Sequence, residues 1–262
     1  MWKFVLIVPF IINNPALSQL DKIIDLTWDF SNETLYWVGV TPFEFTKIVG
    51  HEERGYWYAA NEFRAGEHGG THFDAPYHFN KNGWKVHQVP IERLIARGAT
   101  INLSQNDTKT LERRHLENWV RQNGDFEENT VLLVKFGWSK HWTSKHKYFA
   151  VTLHAKFDFP GLAPDAASWI AETGKIVGVG LDTPSVDPGA STDFQAHRTL
   201  AQNNIYIMEN VKIVENLPGF TIVALPMKIK DGTGAPLRVL ALSLKGRKSS
   251  ATFMAWIWSN RS

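Results

Sequence analysis

The chain has 262 residues, 44% hydrophobic and 21% charged, with a formal net charge of +2 and no cysteine. That composition suits one large domain or two small ones around a sizeable core, and near-neutral charge argues against a nucleic-acid binder, which carries a clear basic excess. Without cysteine there is no disulfide, no thiolate nucleophile and no Cys-based zinc site, so the core alone must hold the fold.

The first residues read as an export signal. Lys3 precedes the apolar run FVLIVPFII (4–12), too short to span a bilayer, and Ala16 and Ser18 place small residues before a cut at Gln19. Residues 1–18 are thus expected to be a signal peptide and 19–262 a secreted chain without a membrane span; the alternative is a buried first strand. Without Lys3 the 28 basic residues become 27 against 26 acidic ones, a net charge of +1. N-x-[ST] sequons at Asn32, Asn102, Asn106 and Asn260 fit a secreted glycoprotein.

GYWYAANEFRAG (55–66) mixes aromatic and small residues in rough alternation and reads as a strand. IERLIARG (91–98) reads as a short helix stopped by Gly98. TLERRHLENWVRQNG (110–124) predicts a helix capped by Thr110 and ended by Gly124, with Leu111, Leu116, Trp119 and Val120 as its apolar stripe. TVLLVKFG (130–137) is a buried strand, LAPDAASWIAETG (162–174) a capped helix and KIVGVGLD (175–182) a further strand. NIYIMENV (204–211), FTIVALPMKI (220–229) and LRVLALSL (237–244) complete a strand-rich pattern, α/β or α+β, and the basic LKGRKSS (244–250) is a solvated turn. No repeat or flexible linker interrupts it. Most of the eleven Trp and sixteen Phe suit the core, with some left to line a pocket.

The chemistry concentrates in EHGGTHFDAPYHF (67–79). On an extended chain His68, Gly70, His72 and Asp74 share one face, with Gly70 leaving room for an ion. Pro76 then turns the chain and His78 returns to the same place. Two imidazoles and a carboxylate are a common set for a catalytic divalent metal with an open position. Gly69 stands where the zincin pattern H-E-x-x-H needs its Glu, and no G-x-S-x-G, P-loop or G-x-G-x-x-G occurs. Farther on, Asp182 stands at a strand end, a Pro/Gly/Ser loop leads to His197, and Glu209 closes the next strand. A carboxylate at a strand end and a loop histidine can converge on one pocket edge, the alternative being that a residue such as Glu209 is a surface residue with no site role.

HGGTHFDAPYHF matches the H-x-G-T-H-x-D-x-P-x-H motif of the cyclase-like metal-dependent hydrolases, which include bacterial kynurenine formamidases and isatin hydrolases. FPGLAPDAASWI, GVGLDTPSVDPGAS with the later AHRTL and Glu209, and IIDLTWDF (23–30) resemble its other signature stretches, so the resemblance runs from about Ile24 to Leu242. It implies a single α/β domain with a mixed β-barrel-like sheet surrounded by helices, of the swivelling β/β/α type, in a homo-oligomer, dimer or tetramer. It implies that His68, His72 and Asp74 hold one metal, that Asp74 bridges to a second completed by His197 and Glu209, and that His78 carries the proton. Glu209 favours two divalent ions, zinc, over the single manganese of isatin-hydrolase-like members, which lack an acid there. LVKFGW (133–138) departs from the R-T-G-W of relatives: Lys135 and Phe136 stand for Arg and Thr, which puts the substrate pocket rather than the metal chemistry in question.

The implied reaction is attack of a metal-activated water on a small amide, foremost an aryl formamide like N-formylkynurenine. The alternatives are a cyclic amide such as isatin or another small amide or ester. A secreted relative that only binds a ligand would tend to lose a ligating residue or the proton carrier, and here all six positions are filled.

Overall fold

A computed structural model of the chain describes residues 20–244 except 106, 107, 155, 216 and 218. The expected signal peptide, the sequons at Asn106 and Asn260 and the basic stretch beyond Leu244 lie outside the described residues. In chain order the elements are β1 (Leu20–Asp25), β2 (Glu44–Lys47), β3 (Gly50–Glu53), β4 (Tyr56–Ala59), β5 (Glu62–Arg64), β6 (His72–Asp74), α1 (Ile91–Leu94), β7 (Ile95–Asn102), β8 (Thr110–Leu111), α2 (Arg113–Asn123), β9 (Thr130–Lys135), α3 (Lys145–Tyr148), β10 (Gly161–Leu162), α4 (Pro164–Thr173), β11 (Ile176–Leu181), α5 (Gln195–Gln202), β12 (Tyr206–Glu209), β13 (Phe220–Pro226) and β14 (Gly234–Leu244).

The seven strands β14-β13-β7-β9-β11-β12-β6 form a closed barrel, because β6 pairs with both β12 and β14. The run β7-β9-β11-β12 is parallel and the other pairings are antiparallel. β14 is long enough to serve three partners: Gly234–Pro236 close the barrel on β6, while its later residues pair with β13 and β1. The fold is therefore a single α/β domain with a mixed barrel, as the resemblance implied.

Parallel strands covered on both faces need apolar residues at every position. β9 is such a strand: Val131 and Leu133 enter the barrel interior, whereas Leu132 and Val134 face a second core shared with α2, α4 and α5. β12 divides the same way, with Tyr206 and Met208 inside and Ile207 outside. On β6, Phe73 points inward and stacks on Tyr206 with ring centroids 4.7 Å apart. His72 and Asp74 flank Phe73 and therefore project from the outer face of the barrel, a position the extended-chain reading of the motif does not define.

Three expected elements differ. Residues 91–98 are a single helical turn followed by the start of β7, and Gly98 lies within a strand. Its missing side chain is needed for packing, since a Cβ there would sit 1.9 Å from the Phe220 ring. Thr110 and Leu111 form β8, paired in parallel with β10, so α2 begins later, at Arg113, with Glu112 as its N-cap. The stretch 55–66 holds two short strands rather than one: β4 pairs with β3 and β5 with β2, building an arm whose strand residues are all exposed. The remaining expected strands and the helix at 164–173 are present, with ends shifted by a few residues. Among the described residues no helix is long and apolar enough to cross a membrane.

Candidate metal centre

The pairing of β6 with β12 sets the site. His72 lies opposite Glu209 and Asp74 opposite Ile207, so an imidazole and two carboxylates share the outer face of adjacent strands. His68 arrives differently from the expected extended run. Gly70 has a φ of +59°, a conformation glycine adopts without cost, and the chain turns there before the strand begins at His72. The face shared by parity thus covers only His72 and Asp74; His68 reaches the site through the turn. Gly70 opens no space for an ion, because Thr34 and Phe30 fill its side-chain position.

His197 comes from the first turn of α5. Asp187 accepts the backbone N–H groups of Ala196 and His197 at 2.9 and 3.0 Å and also the Nδ1 of His197 at 2.7 Å. One buried carboxylate therefore caps the helix and orients the imidazole. The sequence reading missed Asp187, although the quoted Pro/Gly/Ser loop contains it.

Asp74 is the hub. Its Oδ1 lies 2.6 Å from His68 Nδ1 and 3.2 Å from His72 Nε2, and its Oδ2 faces His197 Nε2 at 3.5 Å. Glu209 repeats this on the other side, with Oε2 3.5 Å from His72 Nε2 and Oε1 3.2 Å from His197 Nε2. The Val186 N–H donates to Glu209 Oε1 at 2.9 Å. His68, Asp74 and His78 form one group with metal-ligand spacing, and His72, Asp74 and Glu209 another. The His78 ring stacks on His68 with centroids 4.0 Å apart.

The donor set fits a cation. Asp74 Oδ2 is buried without a hydrogen-bond partner, an expensive state for a carboxylate unless positive charge approaches it. Burial opposes charge on His72, yet the carboxylates of Asp74 and Glu209 outweigh it and hold the imidazole up to about 9. His197, also opposed by burial, is raised well above the usual histidine range by its hydrogen bond to Asp187 and by the nearby carboxylates of Asp74 and Glu209. Burial pushes Asp74 up, while the imidazoles of His68 and His72 hold it well below the usual carboxylate range. The protons drawn onto these histidines stand in for the charge that a divalent ion brings. His78 behaves oppositely: loss of water around the ring lowers it to about 4, with Asp74 opposing and the neighbouring histidines reinforcing the shift, although its outer edge faces solvent.

All six expected site residues, His68, His72, Asp74, His78, His197 and Glu209, line one cavity of about 240 Å³. Its walls include Leu35, Trp37, Val40, Phe79, Phe149 and Phe194. Asp182 does not join them. It is fully buried and accepts the backbone N–H groups of Phe136, Trp138 and Ser139, bracing the loop after β9. Lys135 and Phe136 are also absent from the lining, so the departure from R-T-G-W leaves the pocket wall untouched. Asn210, which the sequence reading left without a role, is part of the wall; its amide donates to the Gly70 carbonyl at 2.7 Å, the carbonyl that His72 Nδ1 also meets at 2.9 Å.

Comparison with known proteins fits this geometry. The Cyclase family model matches residues 24–188, and a kynurenine formamidase of Bacillus anthracis is 31% identical over 230 residues, 85% of this chain and 98% of that protein. The chain belongs to the cyclase family. Among solved structures, isatin hydrolase A from Ralstonia solanacearum is similar with a TM-score of 0.78 and 26% identity, covering 92% of this chain and 99% of that one. Isatin hydrolase A from Labrenzia aggregata bound to benzyl benzoate is similar with a TM-score of 0.77 and 28% identity, covering 84% and 93%. The family match ends before His197 and Glu209; these two join the motif in space, Glu209 across from His72 and His197 facing Asp74.

Proposed function

We propose that this cyclase-family protein hydrolyses a small aryl amide, foremost an aryl formamide, at a centre of two divalent ions, zinc by preference. The observation that carries the reading is Asp74, whose two oxygens face separate imidazoles with one oxygen left unpartnered. His68, His72 and Asp74 would hold one ion; Asp74, His197 and Glu209 would hold the other. Bound there, the ions supply Lewis acidity and bring the pKa of water to about 7.

The chain's own residues do the rest. His78, whose basicity is lowered below that of an ordinary histidine, stacks beside His68, placed to take a proton from the attacking water and return it to the departing amine nitrogen. A positioned group of this kind contributes typically 10²–10⁴-fold. Trp37, Phe149 and Phe194 line the cavity and supply apolar surface against which an aryl group packs. A cavity of about 240 Å³ lies below the ~300–1,000 Å³ common for small-molecule sites, which favours a single-ring substrate.

Cyclic amides are the second reading, supported by the similarity to isatin hydrolases. We further propose export through residues 1–18, a glycan on at least one sequon, and a homo-oligomer. Hydrolysis of a panel of aryl formamides, isatin and aryl esters, measured before and after chelation and metal return, tests the activity. Formamide turnover that needs the metal is expected; undiminished turnover after complete metal removal would refute the proposal.

A further inference from the structure

Glu67 opens the histidine-rich stretch and has no part in the chemistry above. Its Oε2 accepts the backbone N–H of Thr233 at 2.9 Å and that of Gly234 at 3.3 Å. Those two donors make Oε2 an acceptor, so the Thr233 hydroxyl 2.6 Å away must donate to it. A hydroxyl has one proton. Thr233 Oγ1 therefore has only a lone pair left for His68 Nε2, which lies 2.8 Å from it. His68 must then carry hydrogen on Nε2. The other ring nitrogen, Nδ1, faces Asp74 Oδ1 at 2.6 Å, a distance at which an imidazole lone pair and a carboxylate oxygen need a proton or a cation between them.

The other two histidines are held the opposite way round. His72 Nδ1 meets the Gly70 carbonyl at 2.9 Å and His197 Nδ1 meets Asp187 at 2.7 Å, both acceptors, which leaves Nε2 of each ring toward Asp74 and Glu209. Gly234 makes room for the reversed ring: a Cβ there would lie 2.5 Å from His68 Cε1 and 2.9 Å from Nδ1.

On the metal-centre reading above, we infer that Glu67 and Thr233 are positioning residues that fix His68 as its Nε2–H tautomer. His68 alone among the three histidines then offers Nδ1 to a cation, while His72 and His197 offer Nε2. The arrangement answers a local problem. His68 lies outside the strand that orients His72 and outside the helix that orients His197, and its side chain is 20% exposed against 5% and 6% for theirs. Backbone geometry does not lock its ring, so the side-chain pair Glu67–Thr233 does, with Thr233 just ahead of β14. The same ring is the surface on which His78 stacks, so its orientation also places the proton carrier.

Two measurements on the full chain test this. Long-range ¹H–¹⁵N spectra of zinc-loaded, histidine-labelled protein should show the His68 proton on Nε2, with the His72 and His197 protons on Nδ1. Competition with a chromophoric chelator should show that Thr233→Val weakens zinc binding by about 10–100-fold, the range seen when the outer partner of a ligating histidine is lost. Thr233→Ser, which keeps the hydroxyl, should bind within a few-fold of wild type. A merely structural role predicts equal loss of thermal stability in the metal-free forms and unchanged zinc affinity. A His68 proton on Nδ1 in zinc-loaded wild type, or unweakened zinc binding in Thr233→Val, would overturn the inference and leave the metal centre standing. A wild-type chain that binds no zinc would overturn both.

Discussion

Asp74 Oδ2 faces His197 Nε2 across 3.5 Å with no hydrogen bond, and that single atom separates a bridging carboxylate from an ordinary buried one. Replacing Asp74 with Asn removes the charge shared by both sides, so both ions should be lost or weakened in metal analysis. Glu209→Gln should weaken the His197 side and leave the His68/His72 side largely occupied. His78→Ala should keep metal content and melting temperature close to wild type while kcat falls by roughly 10²–10⁴ and KM moves less, the pattern for an interaction made mainly in the transition state. Loss of metal in that variant would make His78 a ligand instead. Asp182, outside the pocket, gives a stability signature. Burial raises it to about 6 from the ordinary 3.8, against three backbone hydrogen bonds. The native state then holds a proton that the unfolded chain releases, so this group's contribution to stability falls as pH rises between about 4 and 6. Denaturant titrations across that range should show this slope, and Asp182→Asn should flatten it. An unchanged slope would show that other groups dominate.

At the scale of elements, the strands easiest to read are those buried on both faces. TVLLVKFG and KIVGVGLD carry apolar or small residues at nearly every position, and β9 and β11 fall inside them. The errors share one cause, a tertiary partner that local sequence does not name. Gly98 looks like a helix stop because a helix commonly ends on glycine, but the Phe220 ring from β13 occupies that space. Gly98→Ala should therefore destabilise the fold by about 1–3 kcal/mol through overpacking, measured as a lower denaturation midpoint. No loss would mean that Phe220 moves aside freely. The motif was legible as a ligand cluster because its residue types are so concentrated. The turn at Gly70 was not, since what surrounds it is distant in sequence: its N–H donates to the Leu35 carbonyl at 3.0 Å, and Thr34 and Phe30 occupy its side-chain position. Asp187 stayed hidden because a carboxylate in a Pro/Gly/Ser loop has many uses, and only the first turn of α5, eight residues later, gives it a function.

Across the whole molecule, barrel closure makes the centre. Residues 68–78, 197 and 209 meet because β6 is clasped between β12 and the first residues of β14, a pairing over more than 130 residues that periodicity alone does not announce. The resemblance supplied that closure to the sequence reading, and residue spacing supplied the convergence of the motif. The exposed arm of β2–β5 was foreshadowed only by the single strand read at 55–66. In the proposed metal centre one bridging carboxylate holds the site together for hydrolysis. The most direct test of that proposal is the metal-to-protein ratio of purified wild type and Asp74→Asn by inductively coupled plasma mass spectrometry, with formamide turnover of the same samples. The expected result is about two divalent ions per wild-type chain, falling with turnover in the variant. A wild-type chain free of divalent metal yet fully active, or an Asp74→Asn protein with unchanged metal content, would contradict it.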